Sequence, residues 1–239
     1  MDPLGQGVVA SLIAGLATGL GGLPVLLGRR VSHRMLDAVL GFAAGVMFAI
    51  SAGALLVDVD PGPHSVIIAA LVGGGVVLGL RGIASLERAR GGSRLGRGAR
   101  VAIVVTLHNL VEGMAVVATF TELGGSVGIG VAIAIGAHNV PEGLAVAEPL
   151  RRAGLGPWRC AGLTLLSGLG EPLGAILTLV VLGPVAPPGV ASALAAGAMV
   201  VLASTELIPE AFSHSYVTEA ATGLLLGVLF ALALIAVPW

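Results

Sequence analysis

The sequence predicts an all-α fold: a single polytopic membrane domain over residues 1–239, built from eight transmembrane helices. Three observations predict it. Hydrophobic residues make up 56% of the chain and charged residues 10%, with a mean hydropathy of +1.03; a soluble domain of this length falls far short of that. The apolar residues come in runs of about 20, enough to cross hydrocarbon as helix. The basic residues are all Arg, and their 12 positions form three clusters that punctuate the runs.

The first span, 5–28, follows Met1-Asp2-Pro3-Leu4, which lacks the positive charge of a secretory signal, so a retained span is expected. Its glycines, among 38 in the chain, suit close helix packing in lipid. Arg29, Arg30 and Arg34 separate it from the second span, 36–57. Asp58 and Asp60 lead to the third, 64–86. A Gly/Arg-rich stretch at about 87–100 reads as a flexible loop, and Arg81, Arg88, Arg90, Arg94, Arg97 and Arg100 lie in or beside it. That cluster is expected to set topology rather than to bind nucleic acid. Spans 101–121 and 126–149 are divided only by Thr121-Glu122-Leu123-Gly124-Gly125. Arg151 and Arg152 precede 158–183 and Arg159 stands at its start, and the last spans are 189–209 and 217–237. With eight spans all Arg clusters share one side, and Asp58, Asp60 and Glu122 share the other. Arginine marks the cytoplasmic side, so both termini are expected outside. The lone Cys160 excludes an intramolecular disulfide.

Two near-copies of one motif sit 30 positions apart: His108-Asn109-Leu110-Val111-Glu112-Gly113 and His138-Asn139-Val140-Pro141-Glu142-Gly143. Helical geometry brings positions i and i+4 onto one face, so each copy aims an imidazole and a carboxylate the same way. Glu112, Glu142 and Glu171 fall inside expected spans and Glu206 near the end of one, with no Arg or Lys in those interiors. A buried, uncompensated carboxylate protonates, pairs or binds a cation. Imidazole with carboxylate suits a divalent transition metal such as Zn2+; Mg2+ and Ca2+ prefer all-oxygen cages. His108, Glu112, His138 and Glu142 supply a four-ligand N/O set. Asn109, Asn139 and Glu171 can build a second position beside it, bridged by Glu112 and Glu142. Pro141 is expected to kink the fifth span, and Val111 to leave the fourth straighter.

At these residues the chain resembles the ZIP (Zrt-, Irt-like protein) family of divalent metal transporters, nearest its bacterial, GufA-like branch. Ser167-Gly168-Leu169-Gly170-Glu171-Pro172 is similar to the family's sixth span and Thr205-Glu206-Leu207-Ile208-Pro209-Glu210 to its seventh. The resemblance implies a main site of His108, Glu112, His138 and Glu142, with Asn109, Asn139 and Glu171 beside it. It places Met47 on the pathway. It also implies an inverted repeat of spans one to three and six to eight around spans four and five. The bundle of spans one, four, five and six would then move in an elevator manner, in a bacterial inner membrane. Val111 stands where the family's first motif usually has proline, and His138 and Asn139 replace the Gln and Asp of some relatives.

The expected function is transport of a divalent transition metal into the cytoplasm by alternating access, with Zn2+ favoured and Cd2+, Fe2+ or Mn2+ left as alternatives, since affinity order alone does not set selectivity. The metal is cargo, no prosthetic group is expected, and a homodimer in the bilayer is compatible with the sequence. Two rivals remain: an intramembrane metalloprotease and a metal-sensing receptor. The first needs a Glu next to its metal-binding His, as in H-E-x-x-H; Asn109 and Asn139 stand there and cannot act as bases.

Overall fold

The computed structural model describes residues 2–29, 31–55, 63–89, 94–187 and 189–239. Asp58 and Asp60 lie outside the described residues. Every regular element among the described residues is helical: α1 (Pro3–Leu20), α2 (Leu23–Leu26), α3 (His33–Ile50), α4 (Pro63–Ala89), α5 (Arg94–Ala118), α6 (Gly125–Arg152), α7 (Pro157–Gly168), α8 (Gly170–Leu177), α9 (Val190–Leu202), α10 (Ile208–Ala211) and α11 (Val217–Ala236). Among the described residues, six segments are long and apolar enough to cross a membrane: Pro3–Leu26, His33–Gly53, Gly125–Arg152, Pro157–Leu182, Val190–Ala211 and Val217–Ala236. Helices α4 and α5, of 27 and 25 residues, occupy the third and fourth expected spans. The molecule is a polytopic helical membrane protein. Its outer faces carry exposed side chains such as Ile13, Ile68, Leu71, Val180, Leu225 and Leu229, which are solvated by lipid tails.

Local chemistry explains the boundaries. The Asp2 carboxylate accepts the Gly5 amide at 3.0 Å, with Pro3 at the first helical position of α1. Ser32 caps α3 by accepting the Met35 amide at 3.2 Å. Gly124, at φ 93°, makes the turn between the fourth and fifth segments that the sequence marked only weakly. The Gly/Arg-rich stretch expected to be a loop differs. Residues 87–89 belong to α4 and 94–100 to α5, while 90–93 lie outside the described residues. Ala, Leu and Arg are good helix formers, so they extend both helices.

Four helices widen into a π-turn: Ser51–Leu55, Thr119–Leu123, Thr178–Leu182 and Ala203–Leu207. Hydroxyls within them bond back to the preceding turn: Ser51 to the Met47 carbonyl at 2.8 Å, Thr119 to Val116 at 2.7 Å, Thr178 to Gly174 at 2.8 Å and Thr205 to Val201 at 2.7 Å. In hydrocarbon every carbonyl needs an internal partner, and these hydroxyls provide one where the ladder changes register. The expected kink at Pro141 is not where the chain breaks. Helix assignment in α6 runs uninterrupted through Pro141 and Pro149, because packing against α1, α3 and α7 holds a helix that has lost single hydrogen bonds. The break falls at Leu169, between α7 and α8.

Packing is tightest where glycine meets backbone. Helix α3 lies along α11, α4 along α9, α1 against α6 and the α7–α8 segment, and α5 against α8. A Cβ on Gly15 would overlap the Gly168 carbonyl, and one on Gly168 would overlap the Gly15 carbonyl. The same holds for Gly113 against the Glu171 carbonyl and Gly143 against the Thr18 carbonyl. Helices thus approach to backbone contact through small residues, as lipid-embedded bundles require. Gly168→Ala is expected to destabilise by about 1–3 kcal/mol through overpacking. Gly162→Ala, which adds a methyl to open space, is expected to be tolerated. Thermal melting of the two purified variants checks the contrast.

Candidate metal centre

Each motif occupies the middle of its helix, His108 to Gly113 on α5 and His138 to Gly143 on α6. The spacing of four turns both histidines and both glutamates into the seam between the helices. His108, Asn109, Glu112, His138, Asn139 and Glu171 are at most 1% exposed and Glu142 is 3% exposed. One ligand atom each from His108, Glu112, His138 and Glu142 can be chosen so that all lie within 4.8 Å of one another.

The two copies are interleaved. Glu112 Oε1 lies 2.6 Å from His138 Nε2 on the other helix and 3.2 Å from His108 Nε2 on its own. His108 Nε2 is also 3.8 Å from Glu142 Oε1. At 2.6 Å His138 Nε2 and Glu112 Oε1 are within hydrogen-bonding distance across the two helices. Oε2 of Glu112 and Glu142 and Nδ1 of His138 are buried and take no hydrogen bond from another described protein group. Burying such acceptors without a donor is costly. A divalent cation of the Zn2+ kind, satisfied by mixed nitrogen and oxygen donors, matches this set.

The second group lies alongside. Asn139 donates to the Ala14 carbonyl of α1 at 2.8 Å and to Glu171 Oε1. Asn109 donates to the Ser167 carbonyl at 2.8 Å, just before the break at Leu169. Both amide groups are thus used as donors, which leaves Oδ1 of Asn109 and Asn139 and Oε2 of Glu171 as buried acceptors without a protein donor. The residues expected to form a neighbouring position therefore spend their amide nitrogens on the Ala14 and Ser167 carbonyls and on Glu171, and keep oxygens in reserve. Glu171 stands in the first turn of α8, and Pro172 follows it.

Met47 is fully buried on α3 within the main apolar core, with Ala44, Val46 and Ile50. Glu206, whose role the sequence left open, stands in the π-turn after α9, with Oε2 3.8 Å from His108 Nδ1. It approaches the imidazole edge opposite the carboxylates. Its sequence signals were a carboxylate near the end of a span whose interior holds no Arg or Lys and a place in the Thr205-to-Glu210 stretch similar to the family's seventh span. Asn109→Ala is expected to cost about 1–3 kcal/mol of stability, the usual penalty for stranding a buried acceptor such as the Ser167 carbonyl. A melting curve of the metal-free protein reads it.

Fold and site together define a multi-spanning helical membrane protein that buries a metal-ligand set at the junction of two duplicated motifs. Residues 92–236 match the family described as ZIP Zinc transporter. The chain is 37% identical over 259 residues to zinc transporter GufA of Myxococcus xanthus, covering 97% of this chain and 98% of the relative. It is 38% identical to zinc transporter ZIPB of Bordetella bronchiseptica over 247 residues, 94% of this chain and 78% of the relative. Zinc transporter ZupT of Corynebacterium glutamicum is 35% identical over 257 residues, with 91% and 93% covered. The chain belongs to the ZIP family, whose members are transporters rather than enzymes.

Proposed function

We propose that the protein carries Zn2+ into the cytoplasm through alternating access, with Cd2+, Fe2+ and Mn2+ as secondary substrates. His108, Glu112, His138 and Glu142 would hold the ion, and Asn109, Asn139 and Glu171 would form a neighbouring position sharing the two glutamates. The observation that carries this reading is the buried convergence of two imidazoles and two carboxylates within 4.8 Å, in membrane-spanning helices whose interiors contain no basic residue. The zinc-transport names of the relatives support the choice of ion.

The bilayer arrangement is the eight-span one, a single domain in a bacterial inner membrane with Arg-bearing connections in the cytoplasm and both termini outside. The packing supports the inverted repeat. Exchange the first segment for the sixth, second for seventh, third for eighth and fourth for fifth. The α3–α11 contact then becomes α9–α4, α1–α6 becomes the α5 contact with α7–α8, and α3–α6 becomes α9–α5, all of which are present. The glycine seams favour a moving body of α1, α5, α6 and α7–α8. Polar ties from that body to the rest, among the described residues, include Glu206 to His108, Ser192 to Glu122 at 2.5 Å and the Trp239 amide to Ser126 Oγ at 2.9 Å. Met47 would line the pathway from the static side. Each chain would carry its own site, as a monomer or in a homodimer.

The ion would displace protons from the glutamates, bind between α5 and α6, and leave on the cytoplasmic side when the body shifts. A membrane potential, negative inside, favours inward movement of a dication by about 4.6 kcal/mol per 100 mV, at about 2.3 kcal/mol per charge, when no proton moves back. Zn2+ flux into proteoliposomes should fall to background in Glu142→Ala and in the His108→Ala/His138→Ala pair; undiminished flux in either would reject the assignment. Because ligands must release protons to bind metal, affinity should fall as pH is lowered from 7.5 to 5.5, read by Zn2+ titration calorimetry. Trypsin reports the orientation, since a chain without Lys is cut only at Arg. Cleavage is expected from the cytoplasmic face of sealed vesicles, and cleavage from the opposite face would reverse the topology.

A further inference from the structure

A second group of metal-binding side chains stands apart from the central site. It lies at the end of the molecule where Arg29, Glu148, Arg151 and Arg152 line one cavity of about 590 Å³ together with His33. His33 opens α3, and His214 lies in the connection between α10 and α11. Their rings stack with centroids 4.0 Å apart and planes 25° from parallel. Asp37, one helical turn beyond His33, is completely buried, and its Oδ1 lies 2.9 Å from His214 Nδ1. Ser213 Oγ is 2.9 Å from the same nitrogen. Asp37 Oδ2 is buried and takes no hydrogen bond from another described protein group. Ser215 follows at φ 71°, a left-handed conformation uncommon outside glycine, which turns the chain sharply beside His214.

This arrangement does more than a stacking contact needs. A buried carboxylate accepting from His214 Nδ1–H fixes the tautomer and leaves the Nε2 lone pair outward. That is the relation between carboxylate and metal-bound histidine in which the acid orients the ring and raises its basicity. His33 brings a second imidazole to a 4.0 Å centroid distance, and the stacked rings must splay apart for both to reach one ion. The His214 side chain is 25% exposed and His33 is exposed, so ions reach both rings from solvent. Arg34, the nearest cation along the chain, is drawn off by Glu219 at 2.7 Å. Arg29, Arg151 and Arg152 oppose a cation from the cavity side, which limits affinity without removing the donors.

We infer that His33 and His214, oriented by Asp37, form a second, weaker site for a divalent transition metal that favours imidazole, with solvent completing its coordination. Binding there does not depend on transport. Service as a station for departing metal rests on the inward direction proposed above.

Zn2+ calorimetry and Co2+ visible absorption of the purified full-length protein in nanodiscs test it. Wild type should show a tight and a weak class of site. The His33→Ala/His214→Ala pair should lose the weak class and keep the tight one, with His33→Asn/His214→Asn as a second pair should the first fail to fold. Asp37→Asn should weaken the weak class about 10–100-fold. Glu112→Gln/Glu142→Gln should do the reverse, losing the tight class and keeping the weak one. Unchanged stoichiometry and affinity in the folded His pair would overturn the inference and reduce the cluster to a packing clip. Retention of the tight class in the Glu pair would instead reject the central assignment, so the two failures are distinguishable.

Discussion

The organising constraint is a set of carboxylates in a membrane interior that holds no fixed cation. Glu112, Glu142 and Glu171 are buried among helices whose basic residues are confined to the connections. The protein meets that cost with two imidazoles and two carboxamides, and leaves several oxygens unsatisfied. Each motif's histidine is drawn toward Glu112, so the copies act as one cluster rather than two half-sites. The buried cluster of imidazoles and carboxylates fits a metal ion.

Placing those donors within a few ångströms demands helices that almost touch. Gly113 lets the Glu171 backbone come against α5, Gly143 admits the Thr18 carbonyl against α6, and Gly15 and Gly168 close the remaining seam. The amides of Asn109 and Asn139 then fasten α5 to the Ser167 carbonyl and α6 to the Ala14 carbonyl. The site and its scaffold are therefore one construction. Residues read as ligands also bolt helices together, and residues read as packing set the ligand distances.

Much of this was legible in the sequence. Hydropathy and the Arg pattern located most helix ends to within a few residues, because crossing hydrocarbon imposes both length and composition; α5 is the exception, starting at Arg94 rather than at 101. The duplicated motif identified the four converging side chains, because spacing of four on a helix has only one geometric meaning. Other features were not legible. Pro141 was expected to mark a bend, yet the assigned break is at Leu169, where only neighbouring helices decide which weakened turn yields. Glu206 could not be paired with His108 from the chain alone, since they lie on elements separated by nearly 100 positions. The His33–Asp37–His214 group joins both ends of the chain and leaves no local pattern. The stretch at 87–100 looked flexible by composition, but its Ala, Leu and Arg residues extend the flanking helices.

The break at Leu169 also bears on the electrostatics of the centre. By ending α7 and starting α8 in mid-membrane, the chain creates a helix start with Glu171 in its first turn. Aligned peptide dipoles place roughly half a positive elementary charge at such an end. The end of α7 directly abuts that start, with only Leu169 between them, so the partial negative charge of one end lies beside the partial positive charge of the other and the two largely offset. The break gives Glu171 a fresh helical turn to stand in rather than a net charge to lean on.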